Sequence, residues 1–286
     1  MGVLLALAAA ASWGVAMTVA KPGAKHVDPI TFLLFRWLLA LPLAAAYGAA
    51  VGALQWPSIE GALWVLLGSA LNAVVGWILY LLAMERAPAY QITALASTAP
   101  LWGVVGAIVL GGEPFRWTAF VAALLVVVGA AFLVEGRRDE LRAARRGAVL
   151  ALVAGVLWGV SETVPMRLAA TAGVTPATSL VLFAMTAVAG NALALPFLRG
   201  RVPRRLDKTG LWLVALSTLT GALLGWLFWL NGLRYAPASL LAPVRGSTLL
   251  FTFLFSVLFL GERPSRRALV GVLLSFGGVL LVSINV

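Results

Sequence analysis

Residues 87–114 read APAYQITALASTAPLWGVVGAIVLGGEP, and residues 236–264 read APASLLAPVRGSTLLFTFLFSVLFLGERP. Each stretch opens on Ala-Pro-Ala, continues through an apolar run long enough for one helix across ~30 Å of hydrocarbon, and closes on Gly-Glu shortly before a proline. The two are offset by 149 residues, and the same offset superposes Gly76-Trp77 on Gly225-Trp226, Leu81 on Leu230, Leu124-Leu125 on Leu273-Leu274 and Gly129 on Gly278. Nearer the start, an offset of 145 brings Trp13-Gly14 onto Trp158-Gly159. The chain reads as an internal duplication, with copies expected over residues 1–136 and 147–286.

Apolar runs of helix length fall near 3–20, 29–50, 61–83, 88–110, 115–135, 148–170, 176–197, 209–233, 237–260 and 267–284, leaving no room for a soluble domain between them. Links such as Gly112-Glu113-Pro114 place glycine where one helix can end in the left-handed conformation and proline where the next can begin. Five spans per copy is an odd number, so the second copy must enter the bilayer upside down. The predicted fold is therefore an all-α membrane protein of ten transmembrane helices, built as two inverted five-helix repeats.

Composition agrees. Hydrophobic residues make up 62% of the 286 and charged residues 11%, far from the balance of a soluble domain. The net charge of +11 does not point to nucleic acid, because the basic residues sit in short links between apolar runs rather than along one groove. Cysteine is absent and His26 is the sole histidine, which removes disulfides, thiolate or histidine-cluster metal sites and Ser-His-Asp catalysis. No cofactor is expected. The first twenty residues lack a basic leader and run on past any small-residue cleavage site, so they read as the first span and not as a signal peptide.

Lysine and arginine set the orientation. The odd-to-even links hold sixteen of them: Lys21, Lys25, Arg86, Arg137, Arg138, Arg142, Arg145, Arg146, Arg199, Arg201, Arg204, Arg205, Lys208, Arg263, Arg266 and Arg267. The alternate links hold Arg116, Arg167 and Arg234. The odd-to-even links are thus expected in the cytoplasm of a bacterial inner membrane, with both termini in the periplasm.

The residues also resemble a known family. Trp13-Gly14 with Lys21, Phe35-Arg36-Trp37, Ala87-Pro88-Ala89, Pro100 and Leu110-Gly111-Gly112-Glu113-Pro114 look like the EamA repeat, and the second half repeats the pattern. The resemblance implies the drug/metabolite transporter superfamily, and within it the YddG-like exporters of aromatic and other apolar amino acids. It also implies that spans 5 and 10 are peripheral braces. Leu249 stands where a second copy of Pro100 would fall, and Arg245 adds a charge to span 9, so the substrate is not carried over with the fold.

Charges deep in a span are costly and point to function. Arg36 is close enough to the cytoplasmic end for its side chain to snorkel, which favours an anchoring role. Glu162 and Arg245 each fall about eight residues, ~12 Å, below the outer face, so they are expected to pair, either as a lock between spans 6 and 9 or as a ligand-contacting unit. Around that depth Trp13, Asn72, Tyr80, Tyr90, Ser97, Trp102, Trp158 and Ser161 recur at helical spacing and complete the candidate substrate-binding set. Taken singly, each has an ordinary explanation in helix bridging or interfacial belts; the case for a site rests on their convergence. Glu113 and Glu262 read as carboxylates favouring the positive ends of spans 5 and 10.

The expected activity is export of small organic metabolites, best matched by neutral amino acids with apolar side chains, by alternating access and without ion coupling. The expected partners are a small-molecule substrate and the lipid bilayer, with the protein a monomer. A nucleotide-sugar or cationic-drug carrier of the same superfamily, a passive channel and a membrane-embedded enzyme are the alternatives. A channel needs rings of like polar groups, and an enzyme needs clustered acids or histidines. Neither pattern is present, and no P-loop signals ATP drive.

Overall fold

The structure, a computed structural model, describes residues 1–23, 26–27, 29–84, 95–133, 145–198, 207–261 and 266–283. Within them every regular element is helical: α1 (Gly2–Gly23), α2 (Pro29–Ala50), α3 (Ile59–Ser69), the π-helical segment π1 (Ala70–Gly76), α4 (Trp77–Met84), α5 (Ala99–Val109), α6 (Trp117–Leu133), α7 (Arg145–Thr171), α8 (Pro176–Leu198), α9 (Lys208–Ser217), the π-helical segment π2 (Thr218–Gly225), α10 (Trp226–Tyr235), α11 (Ala238–Arg245), α12 (Thr248–Leu260) and α13 (Arg266–Ser283). Among the described residues, seven helical stretches are long and apolar enough to cross a membrane. Ala99–Val109, Trp117–Phe132 and Leu269–Leu281 are shorter apolar helices. Where ten full-length helices were expected, the described residues thus give seven and three shorter ones. Residues 85–94, the first part of the expected fourth span, fall outside the described residues, as do the links at 137–144 and 199–206 and the expected site residue Tyr90.

The surface is what a bilayer requires. Phe197 is 87% exposed and Leu193 74%, and large apolar side chains stand outward on most helices, an arrangement that water would penalise and lipid solvates. Helix ends use local chemistry: Ser58 accepts from the Gly61 N–H at 3.0 Å to start α3, and Gly112 and Gly261 turn left-handed at φ 68° and 66°. Asp207 starts α9 in the same way, accepting from the Gly210 N–H at 2.7 Å while also meeting His26 Nδ1 at 2.8 Å. The Gly210 N–H first, and the His26 side chain after it, hold the Asp207 carboxyl below the usual carboxylate range.

Each copy gives up its first helix to the other. Helix α1 packs against α9, π2, α10 and α12 of the second copy, while α7, the first helix of that copy, packs against α3, π1, α4 and α5. Helices α6 and α13 pack chiefly on one another. A Cβ at Gly129 would stand 2.5 Å from the Gly271 carbonyl oxygen, and one at Gly278 would stand 2.6 Å from that of Ala122, so only glycine permits this crossing. In lipid such close backbone approach replaces the hydrophobic drive that holds soluble helices together.

Glu113 corrects the reading of a cap for its own following helix. Its Oε1 and Oε2 accept the N–H groups of Ala238 at 2.7 Å and Ser239 at 2.9 Å, the start of α11 in the other copy. Two otherwise orphaned donors and the positive end of α11 are closer to hand than the start of α6, which begins only at Trp117. The corresponding Glu262 lies outside the described residues.

Candidate functional site

Both π segments occur at the same place in the repeat, ending on the matched glycines Gly76 and Gly225. Widening a helix to the π form shifts carbonyls out of the usual ladder, and an indole from the other copy takes one of them in each case. Trp158 Nε1 donates to the Asn72 carbonyl at 3.2 Å, and Trp13 Nε1 donates to the Gly221 carbonyl, the matched position, at 3.0 Å. The glycines make room for the rings. A Cβ at Gly76 would stand 2.6 Å from Trp158 Nε1, and one at Gly225 would stand 2.5 Å from Trp13 Nε1.

Around each indole the aromatic packing repeats as well. Trp158 meets Trp77 with centroids 5.0 Å apart and Tyr80 at 5.2 Å; Trp13 meets the matched Trp226 at 5.7 Å and Trp229 at 6.0 Å. The second triad continues through Phe183, 4.1 Å from Trp226, to Trp37 at 5.0 Å. Trp13, Tyr80 and Trp158 are among the residues expected from sequence; Trp77, Trp226 and Trp229 join them only in the structure. The signal was present, because the offset that aligns Gly76-Trp77 with Gly225-Trp226 also aligns Tyr80 with Trp229.

Polarity breaks this symmetry. Glu162, one turn beyond Trp158 and 5% exposed, receives Arg245 Nε on Oε2 at 2.6 Å and Arg245 Nη2 on Oε1 at 2.8 Å, a bidentate pair. Asn72 Nδ2 adds a bond to Oε1 at 3.1 Å and lies 3.3 Å from Ser161 Oγ, which itself donates to the Trp158 carbonyl. The Glu162 carbonyl accepts from Trp229 Nε1 at 2.8 Å, and the Arg245 guanidinium lies over the Trp13 ring at 5.4 Å. These partners replace the hydration that burial takes from the Glu162 carboxylate. The structure thus brings together Trp13, Asn72, Trp158, Ser161, Glu162 and Arg245, with Tyr80 against Trp158.

Of the remaining expected residues, Ser97 and Trp102 sit at a helix break. Ser97 and Thr98 form a turn before α5, with Thr98 Oγ1 donating to the Leu95 carbonyl at 2.7 Å and accepting from Trp102 Nε1 at 3.2 Å. The matched Gly246-Ser247 turn separates α11 from α12, and Ser247 Oγ donates to the Val244 carbonyl at the same 2.7 Å. Span 9 therefore breaks without the proline that Leu249 replaces. A narrow cleft between these breaks is lined by Ala99, Pro100, Gly103, Gly159, Glu162, Thr163, Trp229, Ala242 and Arg245. No group of three or more His, Cys, Asp or Glu side chains that could hold a metal is found among the described residues.

The pattern of the EamA-like transporter family matches residues 1–135 and again 145–284. The chain belongs to the EamA-like transporter family. It is a multi-pass membrane protein of the transporter class. It is 26% identical over 158 residues to the protein named Uncharacterized transporter YvbV from Bacillus subtilis (strain 168), a match covering 51% of this chain and 48% of that protein. A crystal structure at 20% identity shares the fold with a TM-score of 0.84, covering 99% of this chain and 96% of the other.

Proposed function

We propose that this EamA protein exports neutral amino acids with large apolar side chains from the bacterial cytoplasm, as a monomer of ten spans in two inverted repeats that alternate access around the Glu162 cleft. The observation that carries the reading is the paired arrangement of aromatic triads, each pinned to a π segment, flanking discontinuous helices. Discontinuous helices at matched positions of two repeats mark the binding site in secondary transporters. Ring faces favour an apolar or aromatic side chain, adding about 0.5–1.5 kcal/mol per ring pair beyond area burial, which gives preference without strict selectivity.

The bidentate Glu162–Arg245 pair supports this reading over its rivals. A cationic drug needs a carboxylate free to receive it, and Glu162 already has three donors on its two oxygens. A nucleotide sugar needs several cations to hold its diphosphate, and among the described residues the cleft lining has one, Arg245. Both oxygens of the Glu162 carboxylate are engaged by donors of the chain and not left open to a coupling ion, which supports facilitated, uncoupled transport.

The test is counterflow in proteoliposomes preloaded with phenylalanine, alanine, a uridine-diphosphate sugar or ethidium. Labelled phenylalanine should exchange fastest and alanine more slowly, with no acceleration by an imposed proton gradient. Absence of any amino-acid flux from active vesicles would sink the assignment, and exchange of the nucleotide sugar or the cation alone would replace it.

A further inference from the structure

We propose that the guanidinium of Arg36 is the anchor for the carboxylate of the transported solute. This rests on the transporter reading and supplies the cationic contact that Arg245, bound to Glu162, does not. Arg36 lies seven residues beyond Pro29, ~10 Å along α2, at a depth where an uncompensated charge is expensive. Its side chain turns inward. Nη2 sits against Gly221 of π2, in space that a Cβ there would occupy, and the snorkelling expected from sequence does not occur. Nε is sealed from solvent with no hydrogen-bond partner, and among the described residues no carboxylate pairs with the group. The guanidinium lies over the Trp37 ring at 5.8 Å, a contact too weak to offset burial.

The repeat explains why the cation is there. Gly221 is the counterpart of Asn72, and Ala16 and Met17 are the counterparts of Ser161 and Glu162. One π segment therefore faces a carboxylate supplied by the chain and neutralised by Arg245. The other, among the described residues, faces no acid; it has lost the side chain that Asn72 provides, and receives Arg36 in the space. A ring-to-ring path through the buried Trp37, Phe183, Trp226 and Trp13 joins the two poles, so the Arg36 guanidinium is linked by packed rings to the Glu162 cleft.

Binding of phenylalanine and of 3-phenylpropionate, which lacks the ammonium group, to the full-length protein in detergent tests this by calorimetry. Arg36→Met, which keeps the apolar stem, should weaken both ligands about ten- to a hundredfold, the range of a charge-assisted hydrogen bond, and Arg36→Lys should recover part of the loss. Without ligand, Arg36→Met should melt no lower than the unmodified protein, because it removes a partly buried cation that no carboxylate among the described residues pairs. A lower melting temperature, or unchanged carboxylate binding, overturns the proposal. Should Arg36→Met yield too little protein to measure, Gly221→Ala keeps the charge and crowds Nη2, and it must weaken both carboxylates for the proposal to stand. If the unmodified protein binds phenylpropionate through Arg36 but not phenylalanine, the amino-acid reading fails and the anion site stands; if it binds neither, the anion site fails, and counterflow judges the amino-acid reading by itself.

Discussion

Glu162 and Arg245 are coupled by two hydrogen bonds in a place where neither charge is tolerated alone. Glu162→Gln or Arg245→Met leaves the other member buried and unpaired, at a cost of about 3–5 kcal/mol each, whereas the double variant removes both charges and should recover much of that loss. Melting temperature and phenylalanine counterflow over the four proteins check this; strictly additive losses would mean that the pair does not act as a unit. The pairing was legible in the sequence, because two opposite charges at equal depth have few other outcomes. The work of Trp13 and Trp158 was not. Their indole N–H groups hold carbonyls that are available only because the facing helix is π-wound, and nothing in a tryptophan's sequence position announces that.

At the scale of the element, the π segments depend on glycine. Gly225→Ala would drive a methyl to 2.5 Å from Trp13 Nε1, displacing the indole or rewinding π2, with a destabilisation of about 1–3 kcal/mol and weaker transport. Gly277→Ala is the control: no atom lies within 4 Å of its Cβ, so the helix should gain slightly, by about 0.5–1 kcal/mol. Equal melting temperatures for the two variants would show that the indole contact does not constrain the segment. Helix positions were readable, since most described helix ends fall within about three residues of the apolar runs. The winding was not, because a run that is apolar on every side carries no phase from which a π turn could be told from an α turn. The destination of Glu113 was hidden for a different reason: the N–H groups it accepts belong to a helix that starts 125 residues away, and local cap rules look only at the following turn.

For the whole molecule, the duplication was visible in matched dipeptides, and the asymmetry of sixteen link cations against three fixes the expected orientation. The absence of native cysteine makes the test direct. In intact cells an impermeant thiol reagent should label a cysteine introduced at Val286 and spare one at Arg142; the reverse pattern would invert the topology. What the pattern of charges could not reveal was the exchange of first helices between copies, since hydropathy ranks segments for insertion and is silent on which neighbours they choose.

That exchange has a consequence for how the chain is made. Helix α1 leaves the ribosome well before the surfaces that cover it, α9, π2, α10 and α12, which occupy residues 208–260. At a synthesis rate of roughly 5–20 residues per second, α1 waits on the order of ten seconds or more in the membrane with the Trp13 face unclaimed. Nascent chains arrested before α9 should therefore crosslink from position 13 to lipid or to an insertion factor, and chains arrested after α12 should crosslink to their own second half.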